Sequence, residues 1–344
     1  MNEPETQPKE SHRGGGTVTM ATVGRLAGVS QVTVSRALSD PTRVAPATLD
    51  RIRAAIATTG FVPNALAGAL ASRRSRLITA LVPSITNIVY AAMIKAFSER
   101  IREHGYQILL SETGLDPADE ETLIETHLSR RPDAMLLTGI HHTARARRML
   151  LGAGIPVVEM WDITESPIDL CVGFSHVEAG REAADFAAAA GYVRAGTVSA
   201  GDERAARRKA AFVARFARHS DAAVEQVDFE GSASLERGRQ GLAELVNGRG
   251  FSRGVVFCSS DLLAHGVVIE ARARGLAVPG QIAVIGFGDQ DFAAHVEPGL
   301  TTIRVDRPAF GRAAAEVILA RFDGQSPPAA VTDLGFRIVA RGSA

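Results

Sequence analysis

The chain has 344 residues, room for about two or three folding units at roughly 100 to 200 residues each. Its 38 lysines and arginines balance 38 aspartates and glutamates, and no stretch of about 20 apolar residues occurs, which excludes a helical membrane span. Two cysteines, Cys171 and Cys258, without a Cys-x-x-Cys spacing, exclude a disulfide scaffold and read as buried free thiols in a reducing cytoplasm.

Residues 1–17 are polar, with three consecutive glycines and no apolar stretch. They read as a disordered tail and not as a signal peptide. From Thr19 to Ser39 the chain spells two short helices joined by a glycine turn. Thr19 and Ser30 each offer a hydroxyl to cap a helix start, and Ala27, Gly28 and Val29 supply a small contact residue, a left-handed turn and an apolar anchor. The second helix places Val34, Ala37 and Leu38 on one face, leaving Gln31, Val32, Ser35 and Arg36 to point outward into a groove. A third helix runs from Pro46 to Thr59, with Leu49, Ile52, Ala55 and Ile56 as its stripe and Gly60 as its stop. Between residues 18 and 76, eight arginines stand against Asp40 and Asp50. This local excess of six positive charges suits phosphate binding.

After this bundle comes Phe61-Val62-Pro63-Asn64, then an alanine-rich run to Arg76. With Ala-Gly-Val-Ser and Thr-Val-Ser-Arg upstream, the segment from Val18 to Arg76 resembles the DNA-binding headpiece and hinge of the LacI/GalR family of bacterial repressors. The resemblance implies that Gln31, Val32 and Arg36 contact base edges and that Thr19, Ser30, Thr33 and Asn64 lie near phosphates. It also implies a hinge helix carrying Ala67 and Leu70, with Leu70 as a wedge in the minor groove. Asn64 and Gly68 are poor helix residues, so the hinge is expected to fold mainly on DNA. The expected boundaries are 1–17 for the tail, 18–62 for the helix-turn-helix domain, 63–76 for hinge and linker, and 77–344 for an effector-binding and dimerisation domain.

Beyond Leu77, short apolar strands alternate with amphipathic helices, the signature of α/β units with parallel sheet. Strands are predicted at 77–82, 107–110, 134–137, 157–160, 170–172, 195–199, 255–258, 282–285 and 336–339. Several end in small or polar residues, and ligands of open α/β sheets bind beyond such carboxyl ends. The family resemblance covers nearly all of the chain after residue 17. It implies two Rossmann-like subdomains of periplasmic-binding-protein type, crossed three times by the chain. Val82-Pro83-Ser84-Ile85-Thr86-Asn87, Val172-Gly173-Phe174 and Asp333-Leu334-Gly335-Phe336 resemble the gluconate-operon repressor branch.

Arg208 stands at the helix start where family members place an effector-binding arginine, and its fork suits a carboxylate or a hydroxyl pair; a solvated surface charge is the competing reading. Ser84, Asn87, Tyr90, Ser260, Asp261 and Asp289 complete the expected effector set. Ser260 stands where relatives usually have Asn, and Gly288 where Asp is common. Trp161, the only tryptophan, either closes over a ligand ring or plugs the core. Phe174 is expected to line the cleft, and His176 to be a structural histidine. His141 and His142 lack a partner at metal-ligand spacing, so no metal and no cofactor is expected.

No Gly-x-x-x-x-Gly-Lys or Gly-x-Ser-x-Gly occurs, and Gly286-Phe287-Gly288 is an incomplete dinucleotide fingerprint. The expectation is a cytoplasmic, nucleoid-associated repressor and not an enzyme, a homodimer on palindromic operator DNA, controlled by a small-molecule effector of the sugar-acid type such as gluconate. The alternatives are a family member answering to a neutral sugar or a purine, or a sugar-binding transport protein.

Overall fold

The computed structural model describes residues 18–63, 74–114, 116–201, 203–221 and 223–344. The expected tail, and the hinge residues Asn64, Ala67 and Leu70, lie outside the described residues. The chain divides into two compact units, one up to Ser75 and one from Arg76 to Ala344.

The first unit holds α1 (Met20–Ala27), α2 (Gln31–Ser39) and α3 (Pro46–Thr59). Thr19 caps α1 reciprocally with Thr22, and Ser30 Oγ accepts the Thr33 N–H at 3.2 Å to start α2. Gly28 takes the left-handed φ of 67° that the turn requires. Val23, Ala27, Val34, Ala37, Ile52, Ala55 and Phe61 close a small core. Leu38 departs from its expected place: it is exposed, and Val34 and Ala37 alone carry the buried face of α2.

The second unit is built on two six-stranded sheets. In chain order its elements are β1 (Leu77–Val82), α4 (Ile88–Arg102), β2 (Gln107–Glu112), α5 (Pro117–Leu128), β3 (Ala134–Thr138), α6 (Ala144–Gly152), β4 (Val157–Met160), β5 (Leu170–Gly173) and α7 (His176–Ala189). There follow β6 (Ala195–Ala200), α8 (Glu203–Phe216), β7 (Glu225–Phe229), α9 (Leu235–Arg249), β8 (Gly254–Cys258), α10 (Asp261–Ala273) and β9 (Ile282–Gly288). The chain ends with β10 (Thr301–Arg304), α11 (Arg307–Phe322), β11 (Val331–Asp333) and β12 (Arg337–Val339).

One sheet has the order β11-β5-β4-β3-β1-β2 and the other β12-β10-β9-β8-β6-β7. All pairs are parallel except β10 with β12. Each sheet therefore repeats the doubly wound 2-1-3-4-5 order, with its switch point between β1 and β3 or between β6 and β8. The chain crosses between the sheets after β5, after β10 and after β11, the three crossings expected. Burial raises the Cys171 thiol to about 12 and raises Cys258 as well, so both thiols are protonated and chemically quiet.

Three strands escape the sequence reading. β7 buries only Val227 among its five residues, β11 buries none, and β10 is a short Thr-Thr-Ile-Arg segment. Sheet-edge and short strands lack the continuous apolar run that marks a strand buried on both faces.

Candidate functional site

In the first unit α2 turns Gln31, Val32, Ser35 and Arg36 to solvent, with Val32 66% exposed, while Val34 and Ala37 anchor its other face. An exposed valine on a helix this short has no packing role, but it is suited to apolar contact with a thymine methyl. Asp40 lies 3.6 Å from Arg43 and Asp50 lies 3.7 Å from Arg53. Arg25, Arg36 and Arg51 have no carboxylate partner among the described residues and leave this unit's surface positive.

In the second unit a cavity of about 690 Å³ opens where the carboxyl ends of the strands at both switch points meet. Ser84 follows β1, Gly201 follows β6 and Ser260 follows β8, and all three border it. Asn87 starts α4, accepting the Val89 N–H on Oδ1 at 3.0 Å, which leaves its amide N–H groups for another partner. Ser260 Oγ caps α10 in the same way. Ser84 Oγ lies 3.1 Å from the Thr86 hydroxyl.

Arg208 is held from three sides. One nitrogen donates to His176 Nδ1 at 2.8 Å, another donates to the Ser259 carbonyl at 3.0 Å, and the guanidinium carbon lies 3.6 Å from the Phe287 ring centre. Because a guanidinium only donates, His176 Nδ1 accepts, so the imidazole is neutral with its proton on Nε2. That Nε2–H donates to the Trp161 carbonyl at 2.7 Å. Arg204, one helical turn before Arg208, donates to the Tyr90 hydroxyl at 3.0 Å, and Arg207 forms an ion pair with Asp162. These two contacts join α8 of the second subdomain to α4 and to the loop after β4 of the first. The loop is seated closely: a Cβ on Gly173 would lie 1.8 Å from the Asp162 carbonyl oxygen, so only glycine fits there.

Ser84, Asn87, Tyr90, Trp161, Arg208 and Ser260 thus share one cavity. Trp161 plugs the core, its ring stacked on Phe310 at 5.5 Å, and the residue also borders the cavity, with φ at 72°. Its Nε1–H is buried without a hydrogen-bond partner.

Three expectations are corrected. Phe174 is fully buried behind the cavity, packed against Trp161, Phe310 and Phe336, while its neighbour His176 borders the cavity. The chain turns at Ser175, which caps α7; His176 is buried and hydrogen-bonded to Trp161 and Arg208 as a structural histidine, and it also borders the cavity that Phe174 does not reach. Asp261 is buried under the cleft floor, accepting from the Thr302 hydroxyl at 2.5 Å and the Gln290 N–H at 2.7 Å. Burial pushes its carboxyl up to about 6. Asp289 borders a different cavity, where Arg304 and Arg341 hold it. The neighbouring Gln290 borders the cleft instead.

Arg204, His176, Gln290 and Glu112 are cleft residues that sequence reasoning did not assign. Only Arg204 carried a usable signal, its four-residue spacing from Arg208 on one helix.

Known proteins share this architecture. The profile of bacterial regulatory proteins of the lacI family matches residues 19–64, and a periplasmic binding protein-like domain matches residues 184–344. The HTH-type transcriptional regulator GntR of Pseudomonas aeruginosa is 36% identical over 341 residues, spanning 98% of this chain and 99% of that protein. The chain belongs to the LacI family. As a LacI-family regulator it is a DNA-binding transcription factor that answers to an effector. A LacI-family transcriptional regulator from Silicibacter pomeroyi has the same fold in its crystal structure, with a TM-score of 0.89 and 32% identity over 95% of this chain and 99% of that one. The lac repressor dimer bound to operator and an anti-inducer aligns with a TM-score of 0.82 at 22% identity, over 95% of this chain and 99% of that one, a likeness of fold.

Proposed function

We propose that this LacI-family regulator is a homodimeric repressor of a palindromic operator, and that a sugar acid of the gluconate class sets its operator affinity from the cleft. The observation that carries the acid is Arg208, a guanidinium fixed by His176, Ser259 and Phe287 at the wall of the cavity. A preorganised guanidinium there favours a carboxylate over a neutral ring, since charge-assisted bonds are about twice as strong as neutral ones. Ser84, Asn87, Tyr90 and Ser260 add hydroxyl and amide groups suited to a polyhydroxy chain. The cavity lies within the roughly 300 to 1,000 Å³ usual for small ligands. The sequence resemblance to the gluconate-operon branch points the same way. The role of the cleft is binding, with no catalytic step.

On the DNA side, Gln31, Val32, Ser35 and Arg36 read bases, and Thr19, Ser30 and Thr33 meet phosphates. Asn64, Ala67 and Leu70 keep their proposed DNA roles on the sequence resemblance alone. The two-fold symmetry of a dimer matches a palindrome.

Calorimetric titration with gluconate, 6-phosphogluconate, glucose and a purine base tests the effector class, with quenching of the single tryptophan as a second readout. Saturable binding of an acid, weakened about tenfold or more in Arg208→Ala, is expected from the loss of one charge-assisted contact. Tight binding of glucose or the purine with no response to either acid would falsify the acid class.

A further inference from the structure

A second cavity, of about 700 Å³, is walled by two connections between the subdomains, residues 304–308 between β10 and α11 and residues 334–337 between β11 and β12. Four arginines border it: Arg304, Arg307, Arg337 and Arg341. Arg304 and Arg337 stand directly opposite one another in the antiparallel register of β10 and β12. Like charges so placed are destabilising unless something of opposite sign lies against them.

The carboxylates at hand are few and already committed. Asp289, 7% exposed, serves both Arg304 and Arg341, the latter at 2.7 Å, and holds a left-handed φ of 46° that non-glycine residues seldom adopt. Among carboxylates Arg307, 11% exposed, reaches only Asp291, at 3.4 Å, and Asp291 is 84% exposed, where pairing is weak; the Arg307 Nη2 also donates to the Asp289 carbonyl at 3.3 Å. The Nη1 of Arg307 is buried with no hydrogen-bond partner. Asp306 accepts the Ala309 N–H as the cap of α11. Arg337 makes no ion pair among the described residues.

We propose that this cavity is a binding site for a phosphate group, distinct from the effector cleft, in which Arg337 and Arg304 face the anion from the paired strands and Arg307 from the start of α11. Guanidinium forks match phosphate oxygens two at a time, which a spherical anion such as chloride cannot exploit. A phosphate there ties the two connections together. Its source is either the free ion or the phosphoryl group of a small metabolite.

The test is titration of the full chain at constant ionic strength in chloride, with inorganic phosphate, glucose 6-phosphate and glucose, followed by calorimetry and by phosphorus NMR line width. One saturable phosphate site per chain is expected, at least about tenfold weaker in Arg337→Ala, intermediate in Arg337→Lys, and kept in the cleft variant Arg208→Gln. Arg337 is exposed, so these variants leave the core intact. Tighter binding of the ester than of the ion, with no response to glucose, identifies a phosphorylated metabolite, and the reverse order identifies free phosphate. Absence of saturable binding of either compound, an unchanged affinity in Arg337→Ala, or loss in Arg208→Gln with retention in Arg337→Ala overturns the assignment.

Discussion

His142 sits between two carboxylates inside the first subdomain of the second unit. Its Nδ1 lies 2.8 Å from Glu120, and its Nε2 lies 3.3 Å from Glu159, an ion-pair contact without hydrogen-bond alignment. Burial alone would lower this imidazole, but the two carboxylates outweigh it and carry it to about 9. A group raised in the folded state stabilises fully below its unfolded value and loses that contribution as pH rises through the folded one. The difference in unfolding free energy between the wild type and His142→Gln, measured in urea from pH 6 to pH 9.5, should therefore shrink with rising pH. The expected loss is on the order of 3 kcal/mol. A pH-independent difference would show that His142 is neutral when folded.

At this same scale the sequence was informative where chemistry and position coincide. Arg208 was legible as a cavity residue because the family resemblance places an arginine at that helix start, and its burial at the cavity wall sets aside the competing reading of a solvated surface charge. Phe174 was not, because one turn of backbone at Ser175 decides which side chain faces the cavity, and residue type alone does not encode that turn; the structural role read for His176 stands, with a place at the cavity wall added to it. Asp261 and Asp289 failed for a related reason. A carboxylate after a strand serves equally well as a ligand group, as a buried acceptor for Thr302, or as the counterion of Arg304 and Arg341.

Among the elements, α2 was readable but for Leu38, because caps, turn and the stripe of Val34 and Ala37 agree. Ser30 stops the turn, Gly28 makes it, and Val34 and Ala37 orient the helix, so its outward residues follow by elimination. The apolar strands β1, β4 and β8 were legible from continuous buried runs, whereas β7 and β11 lie at sheet edges and show alternating or polar patterns. Exchanging Gln31 and Val32 together should redirect the preferred operator sequence. Each altered base contact is worth about 1 to 3 kcal/mol of discrimination, while nonspecific affinity, carried by arginine and phosphate, changes little. Selection on a randomised operator library reads this out. An unchanged consensus would remove α2 from base recognition.

For the whole molecule, the two subdomains are joined across the cleft by Arg204 with Tyr90 and by Arg207 with Asp162. Asp162 is buried, so removing Arg207 takes the counterion from a buried carboxylate, whereas Arg207 without Asp162 keeps Glu203 at 3.7 Å. A double-mutant cycle of Asp162→Asn and Arg207→Gln, followed by urea unfolding, should show a favourable coupling of about 1 kcal/mol or more, since contacting residues are not additive. Additive single losses would mean that the pair contributes no joint energy.

A ligand in the proposed effector cleft would change operator affinity only by the difference in its own affinity for the two DNA-binding states, typically a factor of about 5 to 150. The direct measurement is the affinity for labelled operator, by fluorescence anisotropy, with and without saturating gluconate, in the wild type and in Arg208→Ala. A change within that range is expected for the wild type and a ratio near one for the variant. An operator affinity indifferent to gluconate, or a full response in Arg208→Ala, would contradict the proposed effector role of the cleft.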